Sequence, residues 1–221
     1  MEATTEIKER PILFSGPMVR AILDGKKTQT RRVISYNYVD FIGAGGKDGP
    51  EWNDPGHWGY EGADLKWYTL KAQGPPDPTN EIPCRYGKPG DRLWVRETWC
   101  PRSDGCLHDQ FGTPRYRATD ELKPEWGFKW RPSIHMPRWA SRINLKVTDV
   151  RVERFQEIAH FDIRKEGFDC PVHDFPGGMC VSECLQLRAW FYKSWDEING
   201  KRGFGWEVNP WVWVVEFELE R

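Results

Sequence analysis

Hydrophobic positions in this chain fall in short runs, and their spacing switches between strand and helix periods. Ile12 to Phe14 is a short apolar run of strand type. Pro17 then stands where a first helical residue belongs, with Ser15 or Gly16 as cap. Met18, Val19, Ile22 and Leu23 share one helical face, and Gly25 ends it, so a helix is expected over about Pro17 to Asp24. From Arg92 to Trp99, Leu93, Val95 and Glu97 alternate with Trp94, Arg96 and Thr98, a strand pattern that follows the turn Gly87-Lys88-Pro89-Gly90-Asp91. Ile143, Leu145 and Val147 alternate in the same way, but Val150 and Val152 lie on the other parity. A strand over Ile143 to Phe155 with a bulge near Thr148-Asp149 is expected. Ile158 leads into a short helix ending at Gly167, and Leu185 to Ile198 has a second helical pattern closed by Asn199-Gly200. Trp211, Trp213, Val215, Phe217 and Leu219 alternate with Val212, Val214, Glu216, Glu218 and Glu220, the clearest strand in the chain.

Strand, helix, strands, helices, strand, without repeating βαβ units, points to an α+β fold built on a small barrel-like sheet. Two stretches interrupt the pattern. Residues 36–83 contain 8 Gly and 6 Pro, and 8 acids against 3 bases, so they read as an acidic insertion ordered by Trp52, Trp58 and Trp67 rather than by regular structure. Residues 101–137 read as a second loop-rich insertion. Residues 1–10 are polar and read as a flexible tail, which leaves 11–221 as one domain. Gly43-Ala44-Gly45-Gly46-Lys47 has neither the glycine spacing nor the following Ser or Thr of a phosphate loop.

Composition narrows the function classes. With 32 Lys+Arg against 33 Asp+Glu the net charge is -1, so a nucleic-acid site would have to be a local patch. No apolar run approaches the ~18 residues of a membrane span. The charged stretch Met1 to Arg10 lacks the apolar core of a signal peptide, so a cytoplasmic protein is expected. Thirteen Trp among 221 residues suggest ordered loops and planar stacking surfaces.

Four constellations carry candidate chemistry. In Lys26-Lys27-Thr28-Gln29-Thr30-Arg31-Arg32, four of seven residues are cations just beyond a helix end. The run is either a solvated basic turn or a phosphate-facing patch holding a lysine beside hydroxyls. Glu166 stands at a helix C-terminus, where the dipole disfavours a carboxylate, and is either surface or functional. Lys129 to Arg154 holds seven bases and two acids, with Trp130, Arg138, Trp139 and Arg142 interleaved. This is the usual make-up of a surface for unpaired bases, or else of a packed loop covered by arginine. Cys170, His173, Cys180 and Cys184 could hold a structural zinc, Cys100, Cys106 and His108 form a weaker partial set, and the alternative is reduced, buried thiols.

Several of these residues together resemble the ASCH domain family of the PUA-like superfamily. Gly25-Lys26-Lys27-Thr28-Gln29-Thr30-Arg31 resembles its G-x-K-x-x-T signature after a short helix. Lys88-Pro89-Gly90-Asp91-Arg92-Leu93 is similar to its G-D-x-L turn and strand. Phe155-Gln156-Glu157-Ile158 with Glu166-Gly167, and Trp213 to Glu218, resemble its following strand and helix and its closing strand. The long insertions resemble the larger members encoded by phages and prophages. The resemblance implies a PUA-like pseudobarrel associated with RNA and modified-nucleobase recognition. Small bacterial members remove the acyl group of N4-acetylcytidine with a Thr, a Lys and a Glu, and those roles would fall on Thr30, Lys27 and Glu166.

Three functions therefore stand as expectations. The first is binding of RNA, single-stranded DNA or a modified nucleoside through a basic, Trp-containing cleft formed by Lys26, Arg31, Arg32, Arg96, Arg138, Trp139 and Arg142. The second is a metal-independent amidohydrolase acting on an acylated nucleobase, with no cofactor. The third is a phage assembly factor without catalysis, in the host cytoplasm. Lys27, Thr30 and Glu166 are expected to line one concave site. Arg31, Arg32, Arg138 and Arg142 are expected to share a face with Trp139.

Overall fold

The structure is a computed structural model that describes residues 6–35, 39–74, 79–101, 113–120, 129–168 and 185–220. Its elements in chain order are β1 (Glu9–Leu13), α1 (Gly16–Leu23), β2 (Gln29–Val33), β3 (Asp40–Phe41), β4 (Trp58–Glu61), β5 (Trp67–Thr69), β6 (Asn80–Glu81), β7 (Arg92–Arg96), β8 (Trp99–Cys100), β9 (Arg115–Tyr116), β10 (Asn144–Arg154), α2 (His160–Lys165), α3 (Leu185–Asn199) and β11 (Trp211–Glu220). Short single-turn helices join many of them. The fold is α+β, and none of the helices among the described residues is long and apolar enough to cross a membrane.

The central sheet has the order β1-β7-β10-β11-β2, with β1 parallel to β7 and the other pairs antiparallel. β11 lies inside the sheet and is buried on both faces at its start. Trp211, Trp213, Val215 and Phe217 pack with Val19 and Ile22 of α1 and with Leu93, Leu145 and Val147. Val212 and Val214 point the other way, against Phe155, Ile163, Leu187 and Phe191. Two core layers thus use the two parities of one strand, and the acids Glu216, Glu218 and Glu220 begin where that double burial ends. The register of β10 on β11 slips between Val147 and Asp149, where the parity change predicts a bulge.

β1 and β2 are the sheet's edges, and no backbone pairing closes them among the described residues. A side chain spans the gap: the Arg32 guanidinium donates to the Leu13 carbonyl at 2.6 Å. The turn before β7 is fixed by Asp91. Its buried carboxylate accepts from the Lys8 and Lys88 backbone amides, while Gly87 and Gly90 take φ of 100° and 95°. Glu9 and Arg10, which the sequence assigns to a flexible tail, are the first two residues of β1.

The acidic insertion has more regular structure than its composition suggests. β3, β4, β5 and β6 form a four-stranded sheet of their own. The strands are two to four residues long and separated by Gly and Pro, so no window is long enough to show a period. Aromatics do hold it: Phe41, Trp52 and Trp58 pack with ring centroids 4.7–5.6 Å apart, and Tyr60 stacks on Tyr68. Leu70 and Ile82 join the α1-side core.

Candidate functional site

The run after α1 turns sharply. Gly25 takes φ 72°, and the amides of Lys26 and Lys27 both donate to the Ala21 carbonyl. Lys27 and Thr28 then lie antiparallel to the end of α2, with the Thr28 amide donating to the Lys165 carbonyl. α2 stops through Glu166 and Gly167. Gly167 has φ 87°, and a Cβ there would stand 2.9 Å from the side chains of both Ala21 and Lys27. Only glycine combines that backbone with that approach. Glu166, though at a helix C-terminus, therefore points inward.

Lys27 is fully buried and donates to both the Glu166 carboxylate, at 2.7 Å, and the Glu166 carbonyl, at 2.8 Å. Burial lowers the pKa of its ammonium below the ordinary lysine value against the opposing pull of Glu166, and the charges of Arg32 and Arg31 add to the lowering. Arg31 takes the other Glu166 oxygen at 3.3 Å, and also Glu153 at 2.9 Å and Asp162 at 3.2 Å. Arg151 pairs with Glu153, Asp162 and Glu216, and Lys165 with Glu216. With Asp149 also on Arg151, at 3.5 Å, four cations and five carboxylates form one network among the described residues. With its amide oriented to suit these neighbours, Gln29 donates to Asp162 and Glu216 and accepts from Arg31.

Strand alternation divides β2. Gln29, Arg31 and Val33 face α2 and α3, whereas Arg32 lies over Phe14 and Tyr86 on the other side. At this edge strand a pocket of about 140 Å³ opens, with Thr30, Arg31, Arg32 and Glu166 on one side and Phe168, Phe191, Trp195, Asn199 and Arg202 on the other; Arg85, Tyr86 and Ser35 are also among its lining residues. A cavity of about 150 Å³ takes a six-membered ring.

Of the expected catalytic set, Glu166 and Thr30 line this pocket, and Lys27 stands behind Glu166, sealed from it. Among the described residues the Thr30 hydroxyl makes no hydrogen bond to Lys27 or Glu166. Of the expected nucleic-acid set, Arg31 and Arg32 line the pocket; Lys26, Arg96, Arg138, Trp139 and Arg142 do not. Arg31 is spent on three carboxylates. Arg138 pairs with Glu9, and Arg142 grips Glu97 through two bonds of 2.9 and 3.1 Å while lying 4.0 Å from the Tyr116 ring centre. Arg96 donates to the Ile134 carbonyl and lies over Trp94. Trp139 is 70% exposed, edge-on to Trp99.

The tryptophan of the pocket is instead Trp195. Tyr86, Arg85, Phe168, Asn199 and Arg202 were likewise not among the residues that sequence pointed to. The helical period over Leu185 to Ile198 fits Trp190 or Phe191 and Ser194 or Trp195 equally, and the structure turns Phe191, Trp195 and Ile198 to the pocket.

The candidate zinc ligands Cys170, His173, Cys180 and Cys184, with Cys106 and His108, lie outside the described residues. Among the described residues no group of three or more His, Cys, Asp or Glu could hold a metal. Cys84 is a half-buried thiol whose pKa burial pushes up to about 11, and Cys100 is buried and donates to the Pro101 carbonyl. No protein-family model, curated protein or solved structure matches the chain.

Proposed function

We propose that this chain is an ASCH-like, PUA-related protein of the phage type that binds RNA or single-stranded DNA by drawing one nucleobase into the pocket beside α3. One observation carries the reading: an anchored carboxylate and three arginines with no carboxylate partner among the described residues share a ring-sized pocket. Glu166 is locked by Lys27 and Arg31, and the second lone pairs of its oxygens suit a base N–H. Arg32, Arg85 and Arg202 have no ion pair among the described residues; Arg32 is held by a carbonyl and Arg202 by Asn199. They suit phosphate and base carbonyls. Tyr86, Phe168 and Trp195 supply ring contacts.

Calorimetry with the four common nucleoside monophosphates and their nucleosides tests this. At least one nucleotide should bind, more tightly than its nucleoside, and Glu166→Gln should weaken it about tenfold or more. No binding by any of them would end the reading.

An amidohydrolase is the second reading. It is favoured by Thr30 and Glu166 sharing the pocket and by the lowered pKa of Lys27. It requires Lys27 to leave Glu166 and reach Thr30, so binding is preferred. Turnover of N4-acetylcytidine or a related acylated nucleoside, lost in Thr30→Ala, would reverse the order.

A further inference from the structure

A second cavity, of about 350 Å³, lies where the acidic insertion docks on the core. Its walls are Trp52 and Trp58 from the insertion, Trp211 from the start of β11, and Phe204, Val208 and Pro210 from the segment before it. Among the described residues it contains one charged side chain. Arg154, at the end of β10, is only 6% exposed, and its guanidinium lies 4.2, 4.8 and 5.6 Å from the ring centres of Trp211, Trp58 and Trp52. It donates to two backbone carbonyls, of Asn209 and Trp52. Arg154 has no carboxylate within ion-pair distance among the described residues. Its Nε and the Trp211 indole N–H are both buried without a hydrogen-bond partner among those residues. Aromatic faces around unspent donors fit a planar ligand rich in acceptors.

This cavity and the one beside α3 are neighbours. Ser35 lines both. Arg202, which lines the first, lies 6.0 Å from the ring centre of Phe204, which lines the second. An exposed guanidinium at the junction of two ring-sized seats is where the phosphodiester between two adjacent bases would fall.

We propose that the tryptophan-lined cavity is a second base seat, so that the protein takes two consecutive nucleotides of a single strand, their linking phosphate at Arg202. The inference rests on the reading of the α3 pocket as a nucleobase seat and extends it. Stacking, tolerant of base identity, dominates in the second seat, and hydrogen bonding to Glu166 selects in the first. The insertion then acts as half of the ligand site, which accounts for its Trp residues at the junction.

The test compares the four ribonucleoside monophosphates with the four homodinucleotides, as RNA and as DNA, by calorimetry on the full chain. Variants are placed at Val208, a 58% exposed residue of the second cavity whose replacement does not disturb the core. A dinucleotide should bind about tenfold or more tighter than its mononucleotide. Val208→Asp, which sets a carboxylate among the bases, should erase that gain and leave mononucleotide affinity unchanged; Val208→Ile should keep both. Equal affinity for mono- and dinucleotides would overturn the second seat and leave the first standing. So would a gain that survives Val208→Asp. Failure of every nucleotide to bind would remove both seats. A gain confined to the ribo series or shared with DNA supports the seat either way and names the strand.

Discussion

Two parts of the molecule combine arginine with aromatic rings, and they use the guanidinium in opposite ways. Around β7 and the start of β10, Arg138 and Arg142 are neutralised by Glu9 and Glu97, and their rings are Trp94 and Tyr116. Beside α3, Arg32, Arg85 and Arg202 stand without a carboxylate partner among the described residues, over Phe14, Tyr86 and Phe204. In sequence the first group is the more conspicuous, with seven bases against two acids over Lys129 to Arg154. Its partners come from elsewhere in the chain, 45 residues away for Glu97 and 129 for Glu9. Local charge counts report which side chains are present; only the fold decides which cations are already spent.

The largest effect is expected at the floor of the α3 pocket. Glu166→Ala leaves Lys27 fully buried without its carboxylate, and should cost about 3–5 kcal/mol in urea denaturation at neutral pH. A loss below about 1 kcal/mol would mean that Lys27 finds water or another partner, and that Glu166 is not anchored as described.

Next in size is Arg142→Ala, which strands the 1% exposed Glu97 carboxylate, at a cost of about 2–4 kcal/mol near pH 8. Burial already raises the Glu97 pKa above the usual glutamate value in spite of Arg142. A carboxyl whose folded pKa is raised holds its proton better folded than unfolded, so stability falls as pH rises through that window. Removing Arg142 raises the pKa further. The variant's deficit should therefore grow from pH 4 to pH 8. A deficit independent of pH would show that packing on Tyr116, not charge, is what Arg142 supplies.

Gly167→Ala forces a side chain onto a φ of 87° and against Lys27, and should cost about 1–3 kcal/mol by thermal melting. It should also weaken nucleotide binding, because Glu166 precedes it. Smallest is Arg138→Ala. Its ion pair with Glu9 is 42% exposed on both sides, so the change should be about 0–1 kcal/mol and fade in salt. A larger loss would make the packing of Arg138 on Trp94 the real anchor.

Much of the fold was legible where elements were long enough to show a period. The bulge in β10 is read from a parity change and the β11 strand from its alternation. The acid before Gly167, by contrast, leaves a surface and a functional role equally open, and the burial of both faces at the start of β11 appears only in the fold. The insertion's sheet left no mark, because strands of two to four residues carry no period. Lys27 and Glu166 could be named, but their 139-residue separation hides that the lysine is buried behind the acid rather than beside Thr30. The aromatic seats were hidden for a similar reason. The period of α3 leaves Ser194 or Trp195 open, and Trp52, Trp58 and Trp211 are brought around Arg154 only by docking of the insertion.

That the arginines beside α3, and not those near β7, meet the ligand is tested by titrating a fluorescent single-stranded oligonucleotide against two double variants over a range of salt. Arg85→Ala with Arg202→Ala removes two exposed cations of the pocket; Arg138→Ala with Trp139→Ala removes the exposed pair near β7. The first should weaken binding about tenfold or more at low salt and flatten the log-affinity against log-salt slope by about 0.7 for each phosphate no longer neutralised. The second should keep both affinity and slope. Unchanged binding by the first, with weakened binding by the second, would contradict this assignment and place the ligand near β7.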